Sequence, residues 1–545
     1  MLKRKMYDEL LEWKSHESHK SLLIRGQRQT GKTYIVEEFA KTYSNSVTIT
    51  LDKNAQMRKA FRDASSVDDI INQLEAGDPR FDAVEGDTLI FLDEIQSCPA
   101  ARSFLKEFTI DGRYDVIASG SLLDVPIRVE KSERDHEEDV IPTVPVGYEE
   151  HLRMYPLDFE EFLWAKGYRQ EVIDRIRTSI RKKEPLRSAV VESMSGLFRE
   201  HMMVGGMPEA VSNYITNGIP AARNALDSVI HSMNDDVAKY TSASDALKIR
   251  QCFDSIPAQL SETNKKFMYS RLETRGSREG ARNYSDALLW IDGCGIGNPC
   301  YKLRSIDKPL SMSRDPDNFK MYLSDTGTLI HMMDRESQND SPAMRAVAEE
   351  DMSHKQGALT ENMVAECLMK AGIARYHFIN RKEPGRMELD FVIELGPDIV
   401  AIEVKSGKSR KAPSLSKTLN DSRFDRRMKF ENTDIHVDDD GIEHYPIFAA
   451  AFIDDMKRKD DSWMERFEGG TGPDLEGLLD QRDGTVKKNE AAVRRRRPPE
   501  CFSSRSTASA RTWGPRRSRS RGTWRGAWKR PLRSSRRRRA FRPAW

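Results

Sequence analysis

The segment GQRQTGKT at Gly26–Thr33 constrains this chain more than any other feature, because it fits the pattern G-x-x-x-x-G-K-[S/T] in full. A short apolar stretch, Ser21–Ile24, precedes it, and a helical pattern from Lys32 to Tyr43 follows it. A glycine-rich loop between a strand and a helix points backbone N–H groups at phosphate oxygens, and the helix N-terminus adds its partial positive charge. The sequence therefore predicts a phosphate-binding P-loop.

The residue types of this loop predict how it holds a nucleoside triphosphate with Mg²⁺. We expect Lys32 to reach the β- and γ-phosphates and the Thr33 hydroxyl to ligate Mg²⁺. Arg28 is expected to line the phosphate pocket. The predicted nucleotide-binding residues of the loop are Gly26, Gln27, Arg28, Gln29, Thr30, Gly31, Lys32 and Thr33.

A second motif, TLIFLDEIQ at Thr88–Gln96, is an apolar strand that ends in two acids. Asp93 is predicted to hold Mg²⁺, directly or through water, and Glu94 to polarise the attacking water as a general base. Two acids after an apolar strand also fit a solvated strand end, but the P-loop favours the catalytic interpretation. The segment VIASGS ends in Ser119 and Ser121, and there we expect a contact to the γ-phosphate or the water; the alternative is an ordinary turn.

No arginine stands out as an arginine finger, and Arg113 and Arg271 are weak candidates for that role.

Apolar strands alternate with helical patterns over the first 125 residues or so, which indicates a parallel sheet buried on both faces. Beyond that core, the helical segments include a break at Gly205–Pro208, and the later strands lie around Tyr301–Leu303, Phe319–Leu323, Glu388–Glu394 and Ile399–Val404.

Charge is distributed unevenly along the chain. Residues Ala491–Trp545 contain 19 Lys or Arg and one acid, so this tail carries +18, and the rest carries −16 of the net +2. Such a tract cannot bury enough apolar surface to fold. It fits a nucleic-acid-binding arm, a solvated tail or an artefact of an altered reading frame, and we favour the artefact.

No apolar run approaches the ~20 residues of a membrane span, and the six scattered cysteines form no C-x-x-C pair. We expect a cytoplasmic protein with no membrane partner.

A set of segments along the chain resembles bacterial and archaeal AAA-type ATPases with a C-terminal, restriction-endonuclease-like domain of unknown function. The segments occur in the same order as in that family. These segments are LLIRGQRQTGKTYIVEEFA, TLIFLDEIQSCP, VIASGSLL, YPLDFEEFLWA, HMMVGGMPEAV, FKMYLSDTGTL, GALTENMVAECL, MELDFVIE and AIEVKSG. They cover about residues 1–455. The resemblance implies ATP rather than GTP, and no guanine-specific N/T-K-x-D motif occurs. YPLDFEEFL and GGMPEAV have no catalytic rationale and are expected to pack the helical unit onto the core.

The resulting fold prediction is α/β, with several regions in sequence order. They are an AAA-type P-loop core at 1–155, a helical region at 156–245, a winged-helix-like domain at 246–340, a restriction-endonuclease-like domain at 345–456 and a disordered Arg-rich tail at 457–545. The winged-helix-like unit either binds duplex DNA or covers the nucleotide as a lid. Its basic stretch, Lys265–Arg282, permits a phosphate contact, but a solvated helix face fits slightly better.

A second acidic site is predicted near the C-terminus. Asp390, Glu403 and Lys405 have the D-x₁₂-E-x-K spacing of restriction-like nucleases. Glu403 and Lys405 point to one face of a strand, and Asp390 on a neighbouring strand can meet Glu403 to hold Mg²⁺. Glu361 or Glu366 would complete the cluster. Short D…E-x-K patterns are common in charged chains, and such folds often persist as binding modules.

Two functions fit the whole sequence. In the first, a Mg²⁺-dependent ATPase controls a nuclease-like domain that binds DNA or RNA. In the second, a slow ATP-dependent switch recognises a protein partner, and the nuclease-like domain is a scaffold. A homo-oligomer fits either reading.

Overall fold

The computed structural model describes residues 2–121, 147–272, 284–335, 337, 341–349, 357–381, 387–406 and 413–458. The chain divides into two units, Met1–Asp461 and Ser462–Trp545. The predicted Arg-rich tail beyond residue 458 and the part of the basic stretch at 273–282 lie outside the described residues.

The first sheet has five parallel strands in the order β2-β3-β4-β1-β5. The strands are β1 Ser21–Arg25, β2 Asn45–Thr50, β3 Thr88–Asp93, β4 Asp115–Gly120 and β5 Glu149–Arg153. Its helices are α1 Met6–Ser15, α2 Lys32–Ala40, α3 Ala55–Asp63, α4 Val67–Gly77 and α5 Pro99–Asp111. Successive residues of β3 point to opposite faces of the sheet. Ile90 belongs to one apolar core and Leu89 to another. Both faces of the sheet are therefore covered, which confirms the predicted parallel α/β core.

Seven α-helices follow this core within the described residues 147–272 and 284–296. They are α6 Phe159–Ala165, α7 Gln170–Lys182, α8 Ser188–Val204, α9 Pro208–Asn217, α10 Ile219–Tyr240, α11 Ala243–Leu260 and α12 Ser285–Gly293. The predicted break at Gly205–Pro208 separates α8 from α9, where Pro208 stands in the first turn of the new helix.

The second sheet has eight strands in the order β12-β13-β11-β10-β9-β8-β6-β7. Its strands are β6 Gly297–Leu303, β7 Arg314–Leu323, β8 Arg375–Asn380, β9 Met387–Leu395, β10 Asp398–Val404, β11 Arg426–Glu431, β12 His436–Val437 and β13 Glu443–Pro446. The associated helices are α13 Thr326–Asp334, α14 Pro342–Ala348, α15 Gly357–Lys370 and α16 Pro413–Thr418, followed by a 3-10 segment at Ile447–Met456.

The β6–β7 hairpin is the pair of strands predicted for a winged helix, but it is not a separate wing. Strand β6 pairs in parallel with β8, so the hairpin continues the sheet that contains β9 and β10. Its loop is also held, because the backbone N–H of Leu310 donates to Glu394 at 3.1 Å. One continuous sheet thus crosses the predicted division at 340–345, and the domain limits themselves stay a prediction.

One apolar core extends from the middle helices into the second sheet. Phe159 of α6 and Phe452 of the 3-10 segment are in ring contact within it, with centroids 6.3 Å apart. Among the described helices, none is long and apolar enough to cross a membrane.

Candidate functional site

The motif from Gly26 to Thr33 forms the loop after β1 and the first two residues of α2, as predicted. Gly31 has φ 92° and Gln29 φ 62°, so the chain turns through left-handed backbone before the helix begins. Gly26, at φ 152°, also lies against the end of β5, where an added Cβ would come 2.2 Å from the Met154 carbonyl oxygen. Glycine is required at this position because backbone occupies the space that a side chain would take.

Lys32 is buried at the start of α2, with 7% of its surface exposed. Its Nζ donates to the carbonyl oxygens of Gly26 at 2.8 Å and Gln27 at 2.9 Å. Burial lowers the pKa of Lys32 to about 8, although the carboxylates of Glu94 and Asp93 oppose the shift. The ammonium is thus aimed into the curve of the loop, where phosphate oxygens are expected.

Asp93 joins the P-loop to the neighbouring strands. Its Oδ2 accepts a hydrogen bond from Thr33 Oγ1 at 2.9 Å, and its Oδ1 accepts one from the Ser119 hydroxyl. Since β1, β3 and β4 are adjacent and parallel, their carboxyl ends bring these side chains together. A carboxylate beside a hydroxyl is the oxygen-donor set that Mg²⁺ prefers, so these residues fit the predicted ion.

Glu94 follows Asp93 in the left-handed conformation, at φ 55°. Its carboxylate accepts a hydrogen bond from Gln96 Nε2. Gln96 was not among the predicted site residues, although it stands inside the DEIQ segment. A non-glycine residue in this conformation is uncommon and is often found at functional sites.

The three arginines considered for the phosphate site all carry carboxylate partners. Arg28 forms an ion pair with Asp236 of α10 at 2.6 Å, and burial raises the pKa of Asp236 to about 6. Arg113 is paired with Asp111 at 2.8 Å, and Arg271 with Glu262. Sequence reasoning missed Asp236, because 208 residues separate it from Arg28 and no local pattern marks it.

The two fingerprint segments without a catalytic rationale meet beside the P-loop. The Leu157 N–H donates to the Gly206 carbonyl at 2.7 Å, which ties YPLDFEEFL to GGMPEAV. An added Cβ on Gly206 would lie 2.1 Å from the Leu157 oxygen. The Gln27 amide donates to Met207 Sδ at 2.9 Å, so the GGMP segment rests on the P-loop itself.

The segment SDTG at 324–327 joins the same junction from β7. Ser324 Oγ donates to Gln27 Oε1 at 3.3 Å, and the Gly206 N–H donates to Asp325 Oδ1 at 2.6 Å. Asp325 also caps α13 through Thr328 N at 2.8 Å. The P-loop is therefore in direct contact with the segment that follows β7 of the second sheet.

The second acidic site has the predicted strand geometry. Asp390 lies on β9 and Glu403 on β10. The pairing of these antiparallel strands ends with Phe391 opposite Ile402, and Asp390 and Glu403 are the next residues on their strands. Asp390 Oδ2 accepts from the Val404 N–H at 2.9 Å, and Lys405 Nζ lies 2.6 Å from Glu403 Oε1. Burial, with the Glu361 carboxylate, raises the pKa of Asp390 to about 6.

Glu361 of α15 is held by cations of the protein. Lys265 donates to it, Lys320 lies 3.6 Å away, and the Tyr322 hydroxyl donates to it at 3.1 Å. Burial alone would raise the pKa of Glu361, but the two lysines outweigh it and lower the pKa to about 2. Lys320 is itself 3% exposed and was not anticipated from the sequence.

Three lysines thus face three carboxylates in this cluster. In the part of the chain that the structure describes, no group of three or more His, Cys, Asp or Glu residues is arranged to hold a metal ion. The assignment of Asp390, Glu403 and Glu361 as Mg²⁺ ligands stays a prediction. Glu366, the other residue considered, instead accepts from Thr326 N at 2.8 Å and lies 2.6 Å from Lys370 Nζ.

Three parts of the chain match known protein families. Residues 18–163 match the family described as an AAA domain. The P-loop core is therefore similar to an AAA domain. Two further families match at residues 195–339 and 356–447, and both are described only as domains of unknown function. The AAA-type part of the predicted resemblance is confirmed, and its restriction-endonuclease-like part stays a prediction.

Solved structures give weaker likenesses. The ORC1 protein of Aeropyrum pernix, determined in complex with DNA, has 13% identity and a TM-score of 0.25 over 61% of this chain and 91% of its own. PCH-2 of C. elegans has 13% identity and a TM-score of 0.21 over 42% and 69%. At these scores neither likeness carries an argument about this chain. No curated protein matches the sequence.

Proposed function

We propose that the chain is a Mg²⁺-dependent ATPase. The observation that carries this proposal is the Asp93 carboxylate, which accepts from both Thr33 and Ser119 beside the buried Lys32. Thr33 and Asp93 would hold Mg²⁺, and the ion would neutralise charge on the phosphates. Lys32 would hold the β- and γ-phosphates, while Ser119 positions groups at the γ-phosphate.

Glu94 is the proposed general base. Its carboxylate follows the Mg²⁺-binding Asp93 directly and is held by the Gln96 amide. From this position it would orient a water for attack on the γ-phosphate and accept its proton. Gln96 would act as a positioning residue, because it donates to the Glu94 carboxylate.

ATP binding and turnover should separate in two variants. Glu94→Gln keeps the side-chain size and should retain ATP binding while losing roughly 10²–10⁴-fold in kcat. Lys32→Ala should lose binding itself. The matched control is Glu107→Gln on α5, a residue that belongs neither to the P-loop nor to the Thr88–Gln96 motif. Full turnover in Glu94→Gln would overturn the assigned base, and full turnover in Lys32→Ala would overturn the nucleotide site.

We further propose that the nucleotide state is transmitted to the C-terminal region through α15. Thr326 beside Ser324 donates to Glu366, and Lys370 donates to the Leu157 carbonyl at 2.8 Å. Glu361, five residues before Glu366 on the same helix, belongs to the acidic cluster. One helix therefore contacts both the junction beside the P-loop and the cluster, and a shift at one end would move the other.

For the cluster itself, two activities remain in competition. Cleavage of DNA or RNA is supported by Asp390, Glu403 and Lys405 on adjacent strands. A non-cleaving scaffold in an ATP-dependent switch that binds a protein partner is favoured by the Lys265 and Lys320 contacts to Glu361, because these cations already balance the carboxylate. The paired lysines make the scaffold the better-supported reading.

A nicking assay on plasmid DNA and on single-stranded RNA, with Mg²⁺ and with or without ATP, distinguishes these activities. The scaffold reading predicts no cleavage above the level of Asp390→Asn. Cleavage that disappears in Asp390→Asn would establish the nuclease instead, and its dependence on Lys32 would then show whether ATP controls it.

A further inference from the structure

An ion pair joins the P-loop to the helices that follow the core. Arg28 of the loop lies with its Nε 2.6 Å from Oδ2 of Asp236, which stands near the C-terminal end of α10. The Asp236 side chain is buried, with 7% of its surface exposed, whereas the Arg28 side chain keeps 31%. A buried carboxylate needs a cation or hydrogen bonds to balance its charge, and Arg28 supplies that cation.

The ion pair lies close to the groups proposed to hold and hydrolyse the γ-phosphate. Burial lowers the pKa of Lys32 most, and among the neighbouring charges Glu94 and Asp236 raise this pKa while Arg28 lowers it. Burial raises the pKa of Asp236, and the Glu94 carboxylate adds to the rise. Because solvent and salt limit such effects to short distances, Arg28 and Asp236 are neighbours of both the proposed phosphate lysine and the proposed base.

The end of β4 lies on the same side of the P-loop. Ser121, one residue beyond β4, lines the same small cavity as Arg28 and Asp236. Two residues before it, Ser119 donates to Asp93. The carboxyl ends of β3 and β4 therefore bring the Mg²⁺ and γ-phosphate end of the proposed site next to the ion pair.

The Arg28 guanidinium can bind either a carboxylate or a phosphate. Its planar set of N–H donors matches both groups, and the γ-phosphate carries more negative charge than one carboxylate. If Arg28 contacts the γ-phosphate, Asp236 loses its ion pair while the nearby Glu94 carboxylate still repels it. The C-terminal turn of α10 is then held less firmly against the P-loop.

We propose that the γ-phosphate of ATP competes with Asp236 for Arg28, and that this competition makes the C-terminal turn of α10 sensitive to the bound nucleotide. Arg28 is then a nucleotide-contacting residue, and Asp236 is a positioning residue that acts through it. The inference rests on the proposed ATPase function and adds a regulatory contact to the same site.

The competition is tested by comparing two nucleotides that differ in the γ-phosphate. Binding of ADP and of the non-hydrolysable β,γ-imido analogue of ATP, both with Mg²⁺, is measured by calorimetry on the full chain. Asp236→Asn keeps the side-chain shape and removes the competing charge, so the analogue should bind about tenfold more tightly and ADP should stay within about twofold. Asp235→Asn, at an exposed position of the same helix, is the matched control and should change neither. No change, or an equal change for both nucleotides, would overturn the proposal.

A double-mutant cycle separates competition for Arg28 from direct repulsion between Asp236 and the phosphates. Arg28→Gln should weaken binding of the analogue but not of ADP. Arg28→Lys keeps the charge without the planar donors and should recover part of that loss. In the Arg28→Gln background, Asp236→Asn should no longer tighten the analogue. If the gain persists there, Asp236 acts on the phosphates directly and the proposed competition is wrong.

The response of α10 is measured by hydrogen–deuterium exchange at residues 233–239. Exchange should be faster with the analogue than with ADP, because Asp236 loses its ion pair, and the difference should disappear in Asp236→Asn. Equal exchange with both nucleotides in the unsubstituted chain would overturn the link to α10. A chain that binds neither nucleotide would overturn the proposed ATPase and the competition with it, whereas binding of both without any effect of Asp236→Asn would overturn the competition alone.

Discussion

At the scale of single residues, Lys32 and Lys320 are both buried cations, but their surroundings differ. Lys32 faces backbone carbonyls, and its pKa falls. Lys320 faces Glu361 and Asp390, and although burial opposes it, the two carboxylates raise its pKa. The first lysine is therefore able to change charge near neutral pH, whereas the second keeps its charge as part of the fold.

The lowered pKa of Lys32 predicts pH-dependent ATP binding. The ammonium is charged below pH 8 and is progressively neutral above it, and the phosphates bind the charged form. The Kd for ATP with Mg²⁺ should therefore rise roughly tenfold between pH 7 and pH 9. Fluorescence titration with a labelled ATP measures it, with Lys59→Met on the exposed side of α3 as a control. A constant Kd over this range would contradict the assignment.

The Lys320–Glu361 pair predicts a large loss of stability on its disruption. Lys320→Met leaves a buried carboxylate with Lys265 as its remaining ion-pair partner and should lower the free energy of unfolding by roughly 3–5 kcal/mol. The double variant Lys320→Met with Glu361→Leu removes both charges and should recover most of the loss. Urea denaturation compares the two. A double variant no more stable than the single one would show that the pair is not what couples these residues.

At the scale of elements, the two segments without a catalytic rationale, YPLDFEEFL and GGMPEAV, are the ones that contact each other beside the P-loop. β3 was predictable because every residue of TLIFLD is buried. β5, with the sequence EEHLR, was missed because it is a polar strand at the edge of the sheet, paired with β1 and with no other of the described strands. Gly206 and Asp325 are 119 residues apart and meet only in the folded chain. Local patterns predict the strands and the P-loop but not such long-range contacts.

The close approach of Gly206 to Leu157 gives an element-scale prediction. In Gly206→Ala the new Cβ would meet the Leu157 oxygen at 2.1 Å, so backbone must move, at a cost of about 3 kcal/mol or more. Gly196→Ala, inside α8, meets nothing closer than Arg199 Nη2 at 4.0 Å and should stabilise by about 0.5–1 kcal/mol. Thermal unfolding of both variants checks the pair. Equal stability of the two would refute the packing argument.

At the scale of the whole molecule, the eight-stranded sheet contains strands that were predicted to belong to two separate domains, the winged-helix-like one and the restriction-endonuclease-like one. β6 and β7 complete the edge beside β8, and Lys320 of β7 balances Glu361 of α15. These segments were predicted to lie in separate domains because a helix pattern begins between them. Only the strand pairing, which no local pattern encodes, shows that they share one sheet.

A fragment experiment follows from the shared sheet. Residues 345–456 alone lack the hairpin and should aggregate, because β8 loses a neighbour and Glu361 loses both lysines. Residues 156–458 contain the middle helices and the whole second sheet, and they should unfold cooperatively in urea. A monomeric, cooperatively unfolding 345–456 fragment would contradict this view.

The same strand order affects how the chain folds during synthesis. The AAA core can complete its sheet once β5 at Glu149–Arg153 has emerged from the ribosome. The β6–β7 hairpin must instead wait for β8, which begins at Arg375, and translation of the intervening stretch takes on the order of several seconds. During that interval the edge of β6 is open to other nascent chains on the same messenger. We expect this half of the protein to depend most on chaperones that shield strand edges.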